Sequence, residues 1–180
     1  YITGWRAEKA LTDLEQYKVS ETEPLVTDKG TVIGEYVKLY EQNPDIIGWI
    51  KIEGTNINYP VMQTKNDPEY YLRRGFEKEY SLSGTPFMDA DSDIFTPTSN
   101  WMIYGHHMKD GTMFHDVTLY SDINFYKEHK IIEFDTIYEE TGQYRYEVVA
   151  AFYAEIKNVD EGGFKYYQYA GITSESSDFL

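Results

Sequence analysis

The chain has 180 residues, about one domain at the usual ~150 residues per domain, and a chain of this length can bury a substantial core without staples. It is 41% hydrophobic and 17% aromatic, with 18 Tyr, which excludes a disordered polypeptide. Sixteen Lys and Arg against 31 Asp and Glu give a net charge of −15, a field that works against nonspecific nucleic-acid binding and anionic membrane surfaces. With no Cys, disulfides, zinc–thiolate sites and a thiol nucleophile are excluded within these residues.

Residues 1–30 read as an N-terminal helical arm and linker, with little expected function of their own. Ala7 to Tyr17 can form a helix with Ala10, Leu11 and Leu14 on one face, and Ser20 to Gly30 is a polar linker. The chain starts at Tyr1 without a signal peptide, so any targeting or anchoring segment is expected to lie outside it. No stretch approaches the roughly 18 apolar residues of a membrane span.

Residues 31–180 read as the main domain. The spacing of Val32, Tyr36 and Tyr40, and of Ile33 and Val37, predicts a helix over Thr31 to Tyr40. Asn43-Pro44 opens a short turn. Trp49 to Ile52 and Ile57 to Val61 alternate around Gly54-Thr55-Asn56 and predict a hairpin, with Pro60 requiring an edge or a bulge. Pro68 to Arg73 is one helical turn. Thr85 to Met88 and Trp101 to Tyr104 are short strands flanking a polar loop. Met113 to His129 is mostly helical, broken near Ser121-Asp122. Ile131 to Tyr138 and Tyr144 to Ile156 form a second hairpin, with the apolar run Val148 to Phe152 expected in a central strand. The total is about six strands with inserted helices, a mainly β domain expected to be an incomplete barrel. Its open edges carry the expectation that the native chain continues past Leu180.

Chemistry concentrates in Ile103-Tyr104-Gly105-His106-His107-Met108-Lys109-Asp110-Gly111, which follows a strand and precedes a helical stretch. Glycine at a strand end exposes the next side chain, and an imidazole there titrates in the range useful for general acid–base work. Ordinary loop histidines are the plain alternative. The four His at 106, 107, 115 and 129 include no His-Glu-x-x-His pair, so no metal site is assigned. Asp89-Ala90-Asp91-Ser92-Asp93 opens like a calcium loop, but the sixth position is Ile94 and the twelfth Asn100. No Gly-x-Ser-x-Gly, Walker or dinucleotide motif is present, and no cofactor is implied.

The segment Tyr104-Gly105-His106-His107-Met108-Lys109-Asp110-Gly111-Thr112-Met113-Phe114 resembles the active-site histidine segment of class B sortases, cysteine transpeptidases of Gram-positive cell surfaces. Asn43 to Ile50, Ile57 to Val61, Tyr70-Tyr71-Leu72 and Phe125 to Phe134 resemble other pieces of that family in the same order, so the likeness runs from about Thr31 to Ile156. The resemblance implies an eight-stranded sortase-like β-barrel with N-terminal helices. It also implies a reaction: a thiolate attacks the Thr carbonyl of a C-terminal sorting signal, and an amine of the peptidoglycan precursor resolves the thioacyl enzyme. On this reading His106 is the catalytic imidazole, Leu72 an apolar wall of the signal-binding groove, and Tyr104 a neighbour of the site with packing as its main role. His107 falls at a variable position of the motif.

The family's Thr-Leu-x-Thr-Cys segment and its oxyanion-binding arginine have no counterpart here, and Arg73, Arg74 and Arg145 do not match the latter. The expected identity is the N-terminal portion of a class B sortase, inactive alone, with Asn158 to Leu180 in a connection that shapes signal recognition. Its expected partners are a sorting-signal peptide and a peptidoglycan amine, with no nucleic acid. The expected location is the outer face of the cell membrane, reached through an N-terminal anchor outside this sequence. The alternatives are a catalytically dead surface domain that binds peptide or glycan, and a histidine-dependent metal hydrolase.

Overall fold

The computed structural model of the protein describes residues 2–18, 22–96 and 100–154, with side chains described from Arg6 onward. Helix α1, Ile2–Asp13, runs into a 3₁₀ turn over Leu14–Tyr17. Leu11 and Leu14 from the expected apolar face are buried in the core, while Ala10 stays exposed.

The expected linker holds a small antiparallel hairpin, β1 (Leu25–Val26) with β2 (Thr31–Val32), paired Leu25↔Val32. Thr27 builds its turn, its hydroxyl donating to the Gly30 carbonyl at 2.7 Å. The helix expected from Thr31 therefore starts later, as a 3₁₀ turn over Gly34–Tyr36 followed by α2, Val37–Gln42. Consecutive β-branched Val32 and Ile33 favour extended backbone, and Ile33 N donates to the Ile137 carbonyl at 2.8 Å. Val32 and Tyr36 are fully buried as their spacing required, but from two different elements.

The main sheet has six strands in the order β6-β5-β4-β3-β7-β8. The expected hairpin is β3 (Ile46–Ile52) against β4 (Asn58–Met62), with Trp49 opposite Pro60. Pro60 is tolerated because β5, Phe87–Met88, meets the far side of β4 only at Met62↔Phe87, so no ladder donor is needed at Pro60. The one irregularity of this pair lies between Ile46 and Gly48. Beyond β5 comes β6, Ile103–Tyr104, and on the other flank of β3 lies β7, Ile131–Thr136, followed by β8, Gln143–Glu147. The helical stretch before β7 breaks at the expected place. A 3₁₀ segment, Phe114–Ser121, gives way to α3, Ile123–Glu128, and the Asp122 carboxylate caps it by accepting from Asn124 N at 2.8 Å.

The run Val148 to Phe152 is not a central strand. The register Ile131↔Glu147 exhausts β7, and Val148 N→Lys130 O is the last rung, because the chain before Lys130 is already turning into α3. Val149 is 95% and Phe152 71% exposed, and β8 is the edge of the sheet.

The result is a mainly β protein with inserted helices, a curled six-stranded half-barrel sheet. Tyrosines carry much of the core: Tyr36, Tyr59, Tyr71 and Tyr138 are fully buried beside Phe134, Leu39, Ile46 and Met113. A cavity of about 610 Å³ opens between β3, β7, β8 and the β6 side, lined by Ile50, Ile52, Trp101, Ile103, Phe114 and Tyr144 among others. Among the described residues no helix is long and apolar enough to cross a membrane.

Candidate active site

His106 leaves the end of β6. Antiparallel pairing of Phe87 with Tyr104 fixes the strand, and Gly105 follows. The requirement for glycine here is steric: the Phe114 ring lies so close that a β-carbon on Gly105 would sit 2.7 Å from it. Phe114 N donates back to the His106 carbonyl at 2.9 Å, and His107 bridges Met113, so the loop returns to its starting point. Its tip is folded by Asp110, which accepts from the Thr112 hydroxyl at 2.7 Å.

Met113 closes the loop as a fully buried side chain on a backbone with φ of 58°, a left-handed conformation rare for a non-glycine residue. The Glu8 carboxylate of α1 meets it, accepting from Met113 N at 3.5 Å and from the buried Tyr59 hydroxyl of β4. Burial raises the Glu8 carboxyl above its ordinary range, with Asp110 and Asp116 pushing the same way and the two hydrogen bonds opposing. The N-terminal helix is therefore wired to the histidine loop, a connection the sequence reading did not contain.

The His106 ring is half-buried. Burial lowers its proton affinity, the Arg73 guanidinium lowers it further, and a hydrogen-bonding contact to the Ser83 backbone acts in the opposite direction. His107 is exposed and stacks on His115, with ring centroids 4.7 Å apart and planes 10° from parallel. His115 Nδ1 lies 2.9 Å from the Met108 carbonyl, tying the stack to the loop. Among the described residues no group of three or more His, Asp or Glu side chains converges as a metal site.

Leu72 lies on a 3₁₀ turn over Tyr70–Arg73 and is 36% exposed. Its anchor is the neighbouring Tyr71, fully buried, whose hydroxyl accepts from Asn43 Nδ2 at 2.7 Å and donates to Asp45 Oδ2 at 2.7 Å. Asn43 Nδ2 also donates to the Phe76 carbonyl at 2.6 Å, and its Oδ1 accepts from Asp45 N at 3.1 Å. The Asn43-Pro44-Asp45 turn thus holds the Leu72 turn against the sheet. Tyr104 is part-buried, its hydroxyl donating to Asp89 Oδ2 at 2.8 Å and its ring 5.4 Å from that of Phe87. Asp89, in the acidic loop, also caps its own turn by accepting from Asp91 N at 2.9 Å.

The influence of Arg73 and Ser83 on His106 has no signal in the sequence. They are separated from it by more than twenty residues, and no short-range spacing links them.

The chain is 40% identical over 124 residues to sortase B of Staphylococcus aureus, an overlap that takes in 69% of this chain and 49% of that protein. It is 32% identical over 187 aligned residues to sortase B of Listeria monocytogenes, covering 99% of this chain and 71% of the relative. A solved Staphylococcus aureus sortase B–substrate complex superposes with a TM-score of 0.67 at 33% identity, covering 82% of this chain and 65% of that one. No family model matches the chain. The chain belongs to the sortase B family, whose members are cell-surface enzymes of Gram-positive bacteria. It spans about half the length of the Staphylococcus aureus relative.

Proposed function

We propose that these residues form the histidine-bearing part of a sortase-type transpeptidase, with His106 as its general acid–base. The observation that carries the reading is a half-buried imidazole just past the end of β6, its proton affinity lowered by its surroundings, within a family of sortase B proteins. A neutral imidazole accepts a proton from a thiol or an incoming amine, and its protonated form returns one to a leaving amine. The sulfur is supplied outside these 180 residues, which contain no Cys, so this polypeptide alone is inactive.

The substrate is a sorting-signal peptide, a reading supported by the substrate complex of the Staphylococcus aureus relative. The acceptor is an amine of the peptidoglycan precursor, and the reaction takes place on the outer face of the membrane at the cell wall. Leu72 forms an apolar wall for the peptide, and Tyr104 supports the strand that delivers His106. The test is cleavage of a fluorogenic sorting peptide by the full-length protein. Turnover should vanish in His106→Ala while the fold persists; turnover that survives the substitution rejects the role.

A second reading rests on the zero cysteine count: a catalytically dead surface domain that binds peptide or glycan. It expects a full-length protein with no titratable thiol that still binds the sorting peptide. One reactive thiol per molecule, together with peptide turnover, removes it.

A further inference from the structure

Glu8 stands on the α1 face that carries the buried Leu11, one turn before it. Its two carboxylate oxygens meet different parts of the protein. Oε1 accepts from the hydroxyl of Tyr59, a fully buried residue of β4. Oε2 lies 3.5 Å from Met113 N, 105 residues further along the chain. That separation is long for an amide–carboxylate bond, so the hold on Met113 depends on the carboxylate being fixed from its other side, by Tyr59. The helix is itself fixed on β4. Leu14 is buried beyond Leu11, and Glu15 Oε2 accepts from Nδ2 of Asn58, the strand neighbour of Tyr59, at 2.9 Å.

Met113 needs such a hold. Its φ of 58° and ψ of −133° fall in a region natural for glycine and outside the small left-handed helical well open to residues with side chains. A backbone in that state persists only where its surroundings over-determine it. The side chain is wholly buried, and Met113 bridges His107 across the loop. The hydrogen bond of that pairing comes from the next residue, Phe114 N to the His106 carbonyl at 2.9 Å, which leaves the Met113 N–H to Glu8. Turning the Met113 backbone would swing Phe114 N away from His106, so the state of one position passes to the imidazole-bearing residue.

We propose that Glu8 is a positioning residue for the sortase-type reaction: it fixes the Met113 backbone, and through the pairing of Met113 and Phe114 with His106 and His107 it sets where the imidazole lies. The proposal rests on the acid–base reading of His106. It gives α1, whose sequence reads as an arm of little function, a part in the reaction. Glu8 acts through the loop backbone and touches no reacting atom.

The test compares Glu8→Ala, Glu8→Gln and Leu11→Ala with the parent in the full-length protein, each assayed below its own unfolding temperature. Glutamine can turn its oxygen to Met113 N and its amide to the Tyr59 hydroxyl, so it keeps both contacts, whereas alanine keeps neither. Leu11→Ala is the control for a loosened helix, since it opens a core cavity and leaves the carboxylate present. Glu8→Ala should lower kcat for the sorting peptide about tenfold and leave KM within about twofold of the parent, because Asn43, not Glu8, holds the Leu72 turn. Glu8→Gln should recover most of kcat, and Leu11→Ala should lose stability with kcat near that of the parent. In NMR spectra the His106 ring signals should be displaced in Glu8→Ala and return toward the parent in Glu8→Gln. Unmoved ring signals in Glu8→Ala overturn the proposal, as does an equal loss of kcat in Leu11→Ala. The ring signals are read without turnover, so the two readings fail separately. Turnover abolished in His106→Ala with unmoved signals in Glu8→Ala overturns the Glu8 role alone. Displaced signals with turnover surviving in His106→Ala overturn the acid–base reading alone.

Discussion

The Phe114 ring packs on the backbone of Gly105, leaving no room for a side chain between them. His106 comes directly after this contact, and Phe114 N holds its carbonyl at 2.9 Å, so one aromatic residue sets the exit direction of the imidazole-bearing chain. A methyl group at Gly105 must move either the ring or the loop. Gly105→Ala should cost about 1–3 kcal/mol in chemical denaturation, a typical penalty for overpacking. In the full-length enzyme it should lower kcat more than it raises KM, and a variant with unchanged stability and kcat would show that the contact is dispensable.

Glu8 predicts a pH dependence of stability. The folded protein retains its proton to higher pH than the unfolded chain, whose carboxyl titrates near the ordinary value of 4.5. Ionisation therefore opposes folding: the contribution is most favourable below the unfolded value and declines as pH rises through the folded one. Glu8→Gln removes this titration and keeps an acceptor for Tyr59. Urea midpoints from acid to neutral pH should show a smaller decline in the variant than in the parent, because the other carboxylates are common to both. A steeper decline in the variant would contradict the assignment.

Asn43 predicts a loss of stability remote from the imidazole. It is buried and donates to both Tyr71 and Phe76. Asn43→Ala leaves two acceptors in the interior short of a donor, at a cost of about 2–3 kcal/mol. Thermal unfolding measures the loss. The peptide KM of the full-length enzyme should rise as well, since Tyr71 anchors the turn that displays Leu72.

Leu72 makes the converse prediction. At 36% exposed it contributes little to the core, so Leu72→Ala should change stability by less than about 1 kcal/mol. If it forms a wall of the peptide groove, the variant should raise KM several-fold in steady-state cleavage and leave the His106 titration unchanged. An unaltered KM removes Leu72 from the groove.

The parts of the architecture encoded by local patterns were legible in the sequence. The alternation of Trp49 to Ile52 and Ile57 to Val61 yielded β3 and β4, and the polar Ser121-Asp122 pair marked the break that Asp122 caps. Errors arose where tertiary pairing decides the outcome. Val32 and Tyr36 have helical spacing, yet Ile33 spends its N–H on Ile137, more than a hundred residues away. Val148 to Phe152 has the composition of a buried strand, but its neighbour β7 has already ended. At the site, the short motif around His106 was readable because its residues are contiguous. Arg73, Ser83 and Glu8 reach the same loop through strand order and helix docking, which no local spacing encodes.

The parallel contact of β4 with β5 has a consequence for where this chain tolerates change. Two strands running in the same direction cannot be joined by a tight hairpin, so the chain must make a long return over residues 63–86. Within that return, Tyr71 faces inward as a fixed rivet while Leu72 and Arg73 face out. A buried anchor and exposed side chains occupy adjacent positions of a single turn. Changes to the exposed pair therefore leave the inner rivet, and the sheet beneath it, as they are.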